Sequence, residues 1–371
     1  MDILRDYVLD EDWKQCSNGK YVFATKEKNK YFIKTFMRPK YPRTGSLSPK
    51  VVAAKKAECD AWEQKQRDLL KKLKGLAGSS GNLVVPIDFF REDTSYYKVS
   101  LKIDMSTLMP TEIASLSSDD QLLLLKTMVG SVGTLHRANI VHGDLKPDNI
   151  LISKSESGKL VTKIIDFDDS YLEKKPPRAE ETIGTPVYYS PELAKYIIEE
   201  SDVLGENITC KSDVFAMGII FHEYITGSRP ANSSLPKAKA YEVVHEGKEL
   251  KLNSEISEDM GILLKRMLLE DPNARPDCTE ILSELKKIKD IKKTPRKCRI
   301  PVVLTKKATI LKRTIDSFVP TPIASTEGEG EVLRIIQLTP TNFRVEYEGG
   351  KFRTVPLMYI KQNKLENRVE K

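Results

Sequence analysis

The period of the hydrophobic pattern changes once along this chain, and that change limits the possible folds more than any single residue does. Up to about residue 103, short runs alternate apolar and polar side chains, the two-residue period of a β-strand; beyond about residue 118, apolar residues recur at helical spacing. Residues 20–35 read as a β-hairpin with Tyr21, Phe23, Tyr31 and Ile33 pointing inward, separated by the turn-like stretch Lys26–Lys30. A Pro/Ser-rich loop from Arg38 to Lys50 leads into a helix from about Val51 to Leu73, which the stretch Gly75–Gly81 is expected to break. Strands are expected at Leu83–Phe90 and Tyr96–Ile103, and helices at Asp119–Arg137, Ser190–Glu200, Lys211–Gly227, Ser257–Glu270 and Cys278–Ile288. Sheet first and helices second give an α+β chain of two lobes, about 1–103 and 104–290.

Composition removes several classes. With 371 residues, 40% of them hydrophobic and 30% charged, the chain is too apolar for wholesale disorder. The net charge of +7 is concentrated in Lys286–Arg299 rather than spread over a face, so nucleic acid is not expected as a partner. Five cysteines, at 16, 59, 210, 278 and 298, form no C-x-x-C pair and indicate neither a disulfide framework nor a zinc site. Met1–Asp6 lacks the basic-then-apolar order of a signal peptide and no apolar run is long enough for a membrane span, so a cytoplasmic protein is expected.

The C-terminal part reads as a basic, then Pro/Thr/Ser-rich linker over 291–330, with one strand at Pro301–Leu304, followed by a small β domain over 331–362. Its strands are expected at Val332–Leu338, Phe343–Glu348 and Lys351–Val355, with Gly349-Gly350 as a two-residue turn setting Tyr347 opposite Phe352. The strand pattern and the Gly-Gly turn resemble those of an SH3-like or tudor-like barrel, either packed as an appendage or serving as a peptide- or nucleic-acid-binding module, with a protein partner as the expectation.

Two short stretches carry the chemistry. Residues 142–149 read His-Gly-Asp-Leu-Lys-Pro-Asp-Asn, and Asp166-Phe167-Asp168 follows the strand-like Lys163-Ile164-Ile165. An isolated Asp or Asn in a loop is usually a turn former or a cap. Both stretches together, in this order, closely resemble the catalytic loop and metal-binding loop of the eukaryotic-type (Hanks-like) serine/threonine protein kinases. The resemblance implies a two-lobed protein-kinase-like fold, ATP and Mg²⁺ as cofactors with Mn²⁺ as an alternative, and a protein substrate carrying Ser or Thr.

It also implies roles residue by residue. Asp144 would orient the substrate hydroxyl and accept its proton, and Lys146 would offset charge on the γ-phosphoryl. Asn149 and Asp166 would hold the metal through hard oxygen donors. Gly184–Glu192 resembles the end of an activation segment, with Thr185 matching the serine/threonine branch and Ser190 in place of the usual alanine. Asp213 matches the helix residue that braces the catalytic loop around His142, and Arg275 the partner of Glu192. In the first lobe Lys34 resembles the strand lysine that grips the α- and β-phosphates. Its helix partner is expected to be Glu58 rather than Glu63, because Glu58 shares a stripe with Trp62, Leu69 and Leu73; Trp62 is then expected to stack toward Phe167. Ser100 falls at the gate of the adenine pocket, with Leu101 to Ile103 lining it.

Three departures stand out. The phosphate-covering loop has one glycine, Gly19, beside Ser17 and Asn18. Asp168 replaces the glycine of the metal loop, making a DFD variant. Gly143 replaces the arginine that docks a phosphorylated activation loop, so the chain reads as a non-RD kinase in which replacing Ser170, Tyr171 and Thr182 should leave most activity intact. Two rival readings are a pseudokinase scaffold that binds nucleotide weakly and a small-molecule kinase. The retained Lys34, Glu58, Asp144, Asn149 and Asp166 argue against the first, and the Gly184–Glu192 segment against the second. The compact layout without a receptor part suggests a bacterial type of signalling enzyme.

Overall fold

In a computed structural model of the chain, residues 2–293 are described except 17–18, 44–47, 81, 104–107, 156, 183, 199–202 and 232–237; beyond 293 the description covers the backbone of separate strands. The chain divides into a unit Met1–Lys292 and a unit Lys293–Lys371.

The first unit is a curled sheet lobe followed by a helical lobe. Its sheet contains β1 (Ile3–Leu4), β2 (Tyr7–Leu9), β3 (Lys14–Cys16), β4 (Gly19–Lys26) and β5 (Asn29–Phe36), then, after helix α1 (Pro49–Ser80), β6 (Asp88–Glu92) and β7 (Ser95–Leu101). The strand order is β1-β2-β4-β5-β7-β6, with β3 paired to β4. The β4–β5 hairpin closes at Lys26 opposite Asn29, which sets Val22 against Ile33 and Ala24 against Tyr31 on one face, and Tyr21 against Lys34 and Phe23 against Phe32 on the other. Val22, Ala24, Ile33 and Val99 are fully buried with Leu4, Tyr7 and Phe90.

Tyr21 and Phe23 therefore do not share the inward face of Tyr31 and Ile33, as the alternation alone suggests. They lie beside Lys34, where Tyr21 stacks on Phe32 with ring centroids 5.2 Å apart. The pattern has period two on both strands, so only the turn register decides which set faces which side.

Helix α1 runs unbroken through Gly75 to Ser80. A lone glycine costs a helix about 1 kcal/mol relative to alanine, and burial of Leu69 and Leu73 in the main core, with Leu76 packed against it, exceeds that cost. The helical lobe comprises α2 (Pro110–Ala114), α3 (Ser118–Arg137), α4 (Pro191–Ile197), α5 (Lys211–Thr226), α6 (Ala240–His245), α7 (Glu258–Met267) and α8 (Cys278–Lys287), with the strand pairs β8 (Ile140–Val141)/β11 (Tyr171–Leu172) and β9 (Ile150–Lys154)/β10 (Leu160–Ile164) at its upper surface. Sequence signals account for the ends of α3 and α8. Ser117 accepts from the Asp120 amide at the start of α3, whose last turn carries His136 and Arg137. Asp277 and Glu280 form a reciprocal capping box at α8. Helix α5 is apolar nearly all round and every residue from Ser212 to Ile225 is buried, so it forms the axis of the lobe.

The second unit is a six-stranded sheet of order β13-β12-β16-β15-β14-β17. Its strands are β12 (Thr309–Thr314), β13 (Ser317–Pro322), β14 (Val332–Thr339), β15 (Asn342–Tyr347), β16 (Phe352–Pro356) and β17 (Val369–Glu370). The β12–β13 hairpin lies inside the stretch read from sequence as linker. Phe352 pairs with Glu346, not Tyr347, a slip of one residue that sets Phe343 opposite Val355. The expected strand at Pro301–Leu304 and the Gly349-Gly350 turn lie outside the described residues.

Candidate active site

Apolar anchors hold the two polar loops in place. Ile140, Val141, Leu145, Ile150 and Ile152 are buried around His142–Asn149, and Ile164 and Phe167 around Asp166. Backbone bonds then tie one loop to the other: the Ile165 amide donates to Asn149 O at 3.0 Å, and His142 Nε2 donates to Ile165 O at 3.0 Å. That bond places the proton of the neutral ring on Nε2 and leaves Nδ1 facing the Asp144 amide. The His142 ring also packs on Phe167, with centroids 5.4 Å apart.

Asp144 sits at the centre of a polar cluster although it is only 8% exposed. Its Oδ2 accepts from Lys146 Nζ at 2.6 Å and from Asn149 Nδ2 at 3.1 Å, and its Oδ1 accepts from Thr185 Oγ1 at 3.0 Å. Lys146 Nζ also donates to Thr185 Oγ1 at 3.0 Å, so the activation segment closes onto the catalytic loop. Asn149 spends its amide hydrogens on Asp144, leaving its carbonyl oxygen as the atom available to a cation. A concavity beside this cluster is lined by Asp144, Thr185, Tyr188, Tyr189 and Leu193.

The brace is Asp213, in the first turn of α5. Its carboxylate accepts from the amides of His142 at 2.8 Å and Gly143 at 3.2 Å, and pairs with His136 Nε2 at 3.0 Å. His136 Nδ1 lies 3.3 Å from Cys278 Sγ. Burial opposes the charge on His136, but Cys278 and Asp213 outweigh it and raise its pKa to about 10. A histidine whose folded pKa is raised contributes stability in full below the unfolded value of about 6.5 and loses it as pH rises through the folded value. The stability difference between wild type and His136→Gln is therefore expected to be largest at or below pH 6.5. It should shrink toward pH 10 by at most about 1.4 kcal/mol per pH unit. Denaturant titrations of both proteins across that range measure this; a difference that stays flat rules it out.

Gly143 has φ +84°, and a Cβ built there would lie 2.4 Å from Asp169 O and 3.1 Å from the Tyr171 ring. An arginine would not fit without moving the metal loop. Gly143→Ala is expected to destabilise the unit by about 1–3 kcal/mol, from left-handed strain plus the clash, measured by chemical denaturation. Ser170 is buried and donates to His142 O at 2.9 Å, and Tyr171 is buried in β11. Both side chains hold the loop, so replacing them together with Thr182 disturbs packing as well as removing hydroxyls and does not isolate an effect of phosphorylation. Thr182 donates to Arg178 O.

The upper half of the site departs further from expectation. Lys34 Nζ lies 3.1 Å from Asp166 Oδ2 and 2.5 Å from Asp168 Oδ2. Glu58 is exposed, and Glu63 pairs with Arg67 at 2.7 Å; the helix carboxylate expected at Lys34 is not there. Trp62 packs on Phe36, Phe89 and Tyr96 at 4.9–5.6 Å rather than on Phe167, which lies in the core that contains Leu69 and Leu73. Along α1, Trp62 and Leu69 share a face but stand two turns apart, roughly 10 Å. The earlier turn meets the sheet and the later one joins the core that contains Phe167.

Lys98, which sequence reasoning missed, pairs with Asp168 at 2.6 Å. The signal was present: in β7, Lys98 shares a face with Ser100 and falls opposite Lys34. Burial opposes ionisation of Asp168, but Lys98 and then Lys34 hold its pKa well below the usual carboxylate range. Burial also works against the Lys34 ammonium, and Asp168 and Asp166 outweigh it. Asp166 is raised by burial and by Asp168, and Asp169 is pushed up to about 7 by burial and the neighbouring carboxylates.

Ser100 is half-buried opposite Phe32, Leu101 is 49% exposed opposite Tyr31, and Ile103 is half-buried just past the strand. Ser17 and Asn18 lie outside the described residues. A Cβ on Gly19 would fall 1.8 Å from Thr35 O, so close approach of β5 alone requires glycine there. Glu192 and Arg275 form a buried bidentate pair at 2.7 and 2.8 Å.

Among the described residues no group of three or more His, Cys, Asp and Glu is arranged to hold a metal ion, and no helix is long and apolar enough to cross a membrane. Hard oxygens on Asp166 and Asn149 suit a divalent cation, which would complete its shell with phosphate oxygens and water.

A curled sheet over a helical lobe, with an Asp-Lys-Asn loop and a second acidic loop meeting beneath a sheet lysine, is the architecture of a protein kinase. The sequence profile of the family described as "Protein kinase domain" matches residues 44–285, more than half of the chain, and the chain belongs to that family. Lys34 precedes the matched segment. The chain is similar to calcium-dependent protein kinase 4 of Plasmodium falciparum, 28% identical over 195 residues (51% of this chain, 34% of that protein). It also resembles two proteins of Streptomyces coelicolor: a probable serine/threonine-protein kinase, 31% identical over 193 residues (48% of this chain, 26% of the other), and the serine/threonine-protein kinase PkaA, 29% identical over 168 residues (44% and 28%). The matches span about a third or less of these relatives' own lengths.

Proposed function

We propose that this protein kinase transfers the γ-phosphoryl group of ATP to serine or threonine hydroxyls of a protein substrate. The observation that carries the reading is the closed cluster of Asp144, Lys146, Thr185 and Asn149, with every contact between 2.6 and 3.1 Å. Thr185 bridging Asp144 and Lys146 supports the serine/threonine class, and names of relatives such as PkaA point the same way.

In this reading Lys34 grips the α- and β-phosphates, and Asn149 and Asp166 hold Mg²⁺, which supplies neutralisation of phosphate charge when bound. Asp144 orients the attacking hydroxyl and accepts its proton. Lys146, already beside Asp144, faces the charge that builds on the transferred group. Ser100, Leu101 and Ile103 border the adenine. The Gly184–Glu192 segment, which resembles the end of a kinase activation segment, supports a protein rather than a small molecule as the acceptor.

The test is transfer from γ-labelled ATP, with Mg²⁺, to protein substrates, followed by phosphoamino-acid analysis. Label on serine or threonine that disappears with Asp144→Ala supports the reading; undiminished label with that variant, or label confined to tyrosine, removes it.

A further inference from the structure

We propose that Asp168, clamped between Lys34 and Lys98, is the carboxylate that positions Lys34 for the nucleotide's phosphates, in place of a glutamate from helix α1. The inference rests on the nucleotide-site reading given above and adds to it two positioning residues, Asp168 and Lys98.

The register of the sheet creates the need for such a residue. Lys34 and Lys98 stand directly opposite each other on β5 and β7, and both are only 7% exposed. Two ammonium groups opposed on one buried face repel, and each loses most of its hydration. A single carboxylate between them answers both, and Asp168 is in that position: Oδ2 lies 2.5 Å from Lys34 Nζ and Oδ1 lies 2.6 Å from Lys98 Nζ. The Phe36 ring, 5.3 Å from Lys98 Nζ, gives that ammonium a further favourable neighbour.

Helix α1 offers no competing carboxylate. Glu58 is exposed and Glu63 is engaged by Arg67.

Asp166 and Asp168 divide the work by exposure. The Asp166 side chain is 35% exposed and can turn to a cation, whereas that of Asp168 is 6% exposed and held from two sides. When Asp166 leaves Lys34 for a metal, Asp168 still fixes the ammonium. The aspartate at the family's glycine position and the lysine on β7 thus form one compensated unit. Lys34 is oriented by the metal loop itself, so its alignment does not depend on where α1 lies.

Calorimetric titration with Mg²⁺ and the non-hydrolysable analogue AMP-PNP tests this on the full chain. Lys34→Met and Asp168→Asn are each expected to weaken binding by about tenfold or more, while Glu58→Gln and Glu63→Gln stay within about twofold. Thermal unfolding of the ligand-free protein gives an independent reading. Asp168→Asn should lower Tm, and adding Lys98→Met should restore part of the loss, because Lys98 is then no longer a buried ammonium without a counter-charge, while Lys34 keeps Asp166 at 3.1 Å. Should Asp168→Asn fail to fold, Lys98→Met/Asp168→Gly removes both charges of the unit and should fold yet bind as weakly as Lys34→Met.

Three results overturn the proposal. One is a glutamate variant as impaired as Asp168→Asn. Another is binding within about twofold of wild type by Asp168→Asn, or by the double variant, while Lys34→Met is impaired. The third is wild-type binding by Lys34→Met, which removes the nucleotide-site reading as well and so separates the two failures.

Discussion

Asp144→Asn is expected to lower the rate of phosphoryl transfer by about 10²–10⁴-fold while nucleotide affinity changes by less than about threefold, the range associated with loss of a positioned general base. The substitution keeps size and removes charge. Asp144 accepts three hydrogen bonds, from Lys146, Asn149 and Thr185. An amide in its place turns an N–H₂ group toward at least one of these donors and can no longer take a proton from a hydroxyl. The cluster would open on the Lys146 side first, because the ammonium at 2.6 Å loses its counter-charge. Lys34 and Asp168, on the sheet side, are not in contact with it, which is why binding of nucleotide should survive. Turnover and AMP-PNP affinity measured on the same preparations separate the two effects. Turnover within about threefold of wild type would show that Asp144 is not the base.

What could be read from the sequence follows from how local each feature is. The catalytic loop is contiguous: Asp144, Lys146 and Asn149 reach one another because a turn and a 3₁₀ segment at Pro147–Asn149 bring them together. Glu192, Asp213 and Arg275 lie in short stretches with characteristic neighbours; the structure pairs Glu192 with Arg275 and sets Asp213 against the catalytic loop, and it bonds Thr185 to Asp144, a contact the sequence did not specify. The features missed depend on geometry between distant elements. A stripe along α1 is well defined in angle and undefined in height, so the sequence placed Trp62 against Phe167 although its turn of the helix meets the sheet. The sign of a β-strand's face is equally hidden, which put Tyr21 and Phe23 on the wrong side of the sheet. Asp168 looked like a surplus charge because its counter-charge, Lys98, sits 70 residues earlier on another strand. A buried acid unexplained by local sequence is a reason to search strand faces for an unexplained base.

Arg275→Ala is expected to destabilise the first unit by about 3–5 kcal/mol, the cost of removing one partner of a buried ion pair. Arg275 is 1% exposed, and all five of its N–H groups have acceptors. Nη1 donates to Glu192 Oε1 at 2.7 Å and Lys211 O at 2.9 Å, Nη2 donates to Glu192 Oε2 at 2.8 Å and Glu270 O at 2.7 Å, and Nε donates to Leu269 O at 2.7 Å. The guanidinium also lies 5.0 Å from the centre of the Phe215 ring. Three of those acceptors are backbone carbonyls, of Leu269 and Glu270 just past α7 and of Lys211 in the first turn of α5, and the other two are the carboxylate oxygens of Glu192 in the first turn of α4. One side chain thus ties the activation segment to the body of the lobe. Lysine has three donors on a point charge and cannot meet five acceptors held in a plane. Arg275→Lys should therefore still cost more than about 2 kcal/mol. Glu192→Gln should cost a similar amount, because it leaves the guanidinium buried without a counter-charge while Ser212, which donates to Glu192 Oε1 at 2.9 Å, keeps an acceptor. Combining Arg275→Met with Glu192→Gln should cost less than the sum of the two, since neither charge is then stranded. Urea titrations of the four single variants, Arg275→Met included, and the double variant measure all of these values. An Arg275→Lys protein within about 0.5 kcal/mol of wild type would mean that charge alone, and not the five-point geometry, holds the segment.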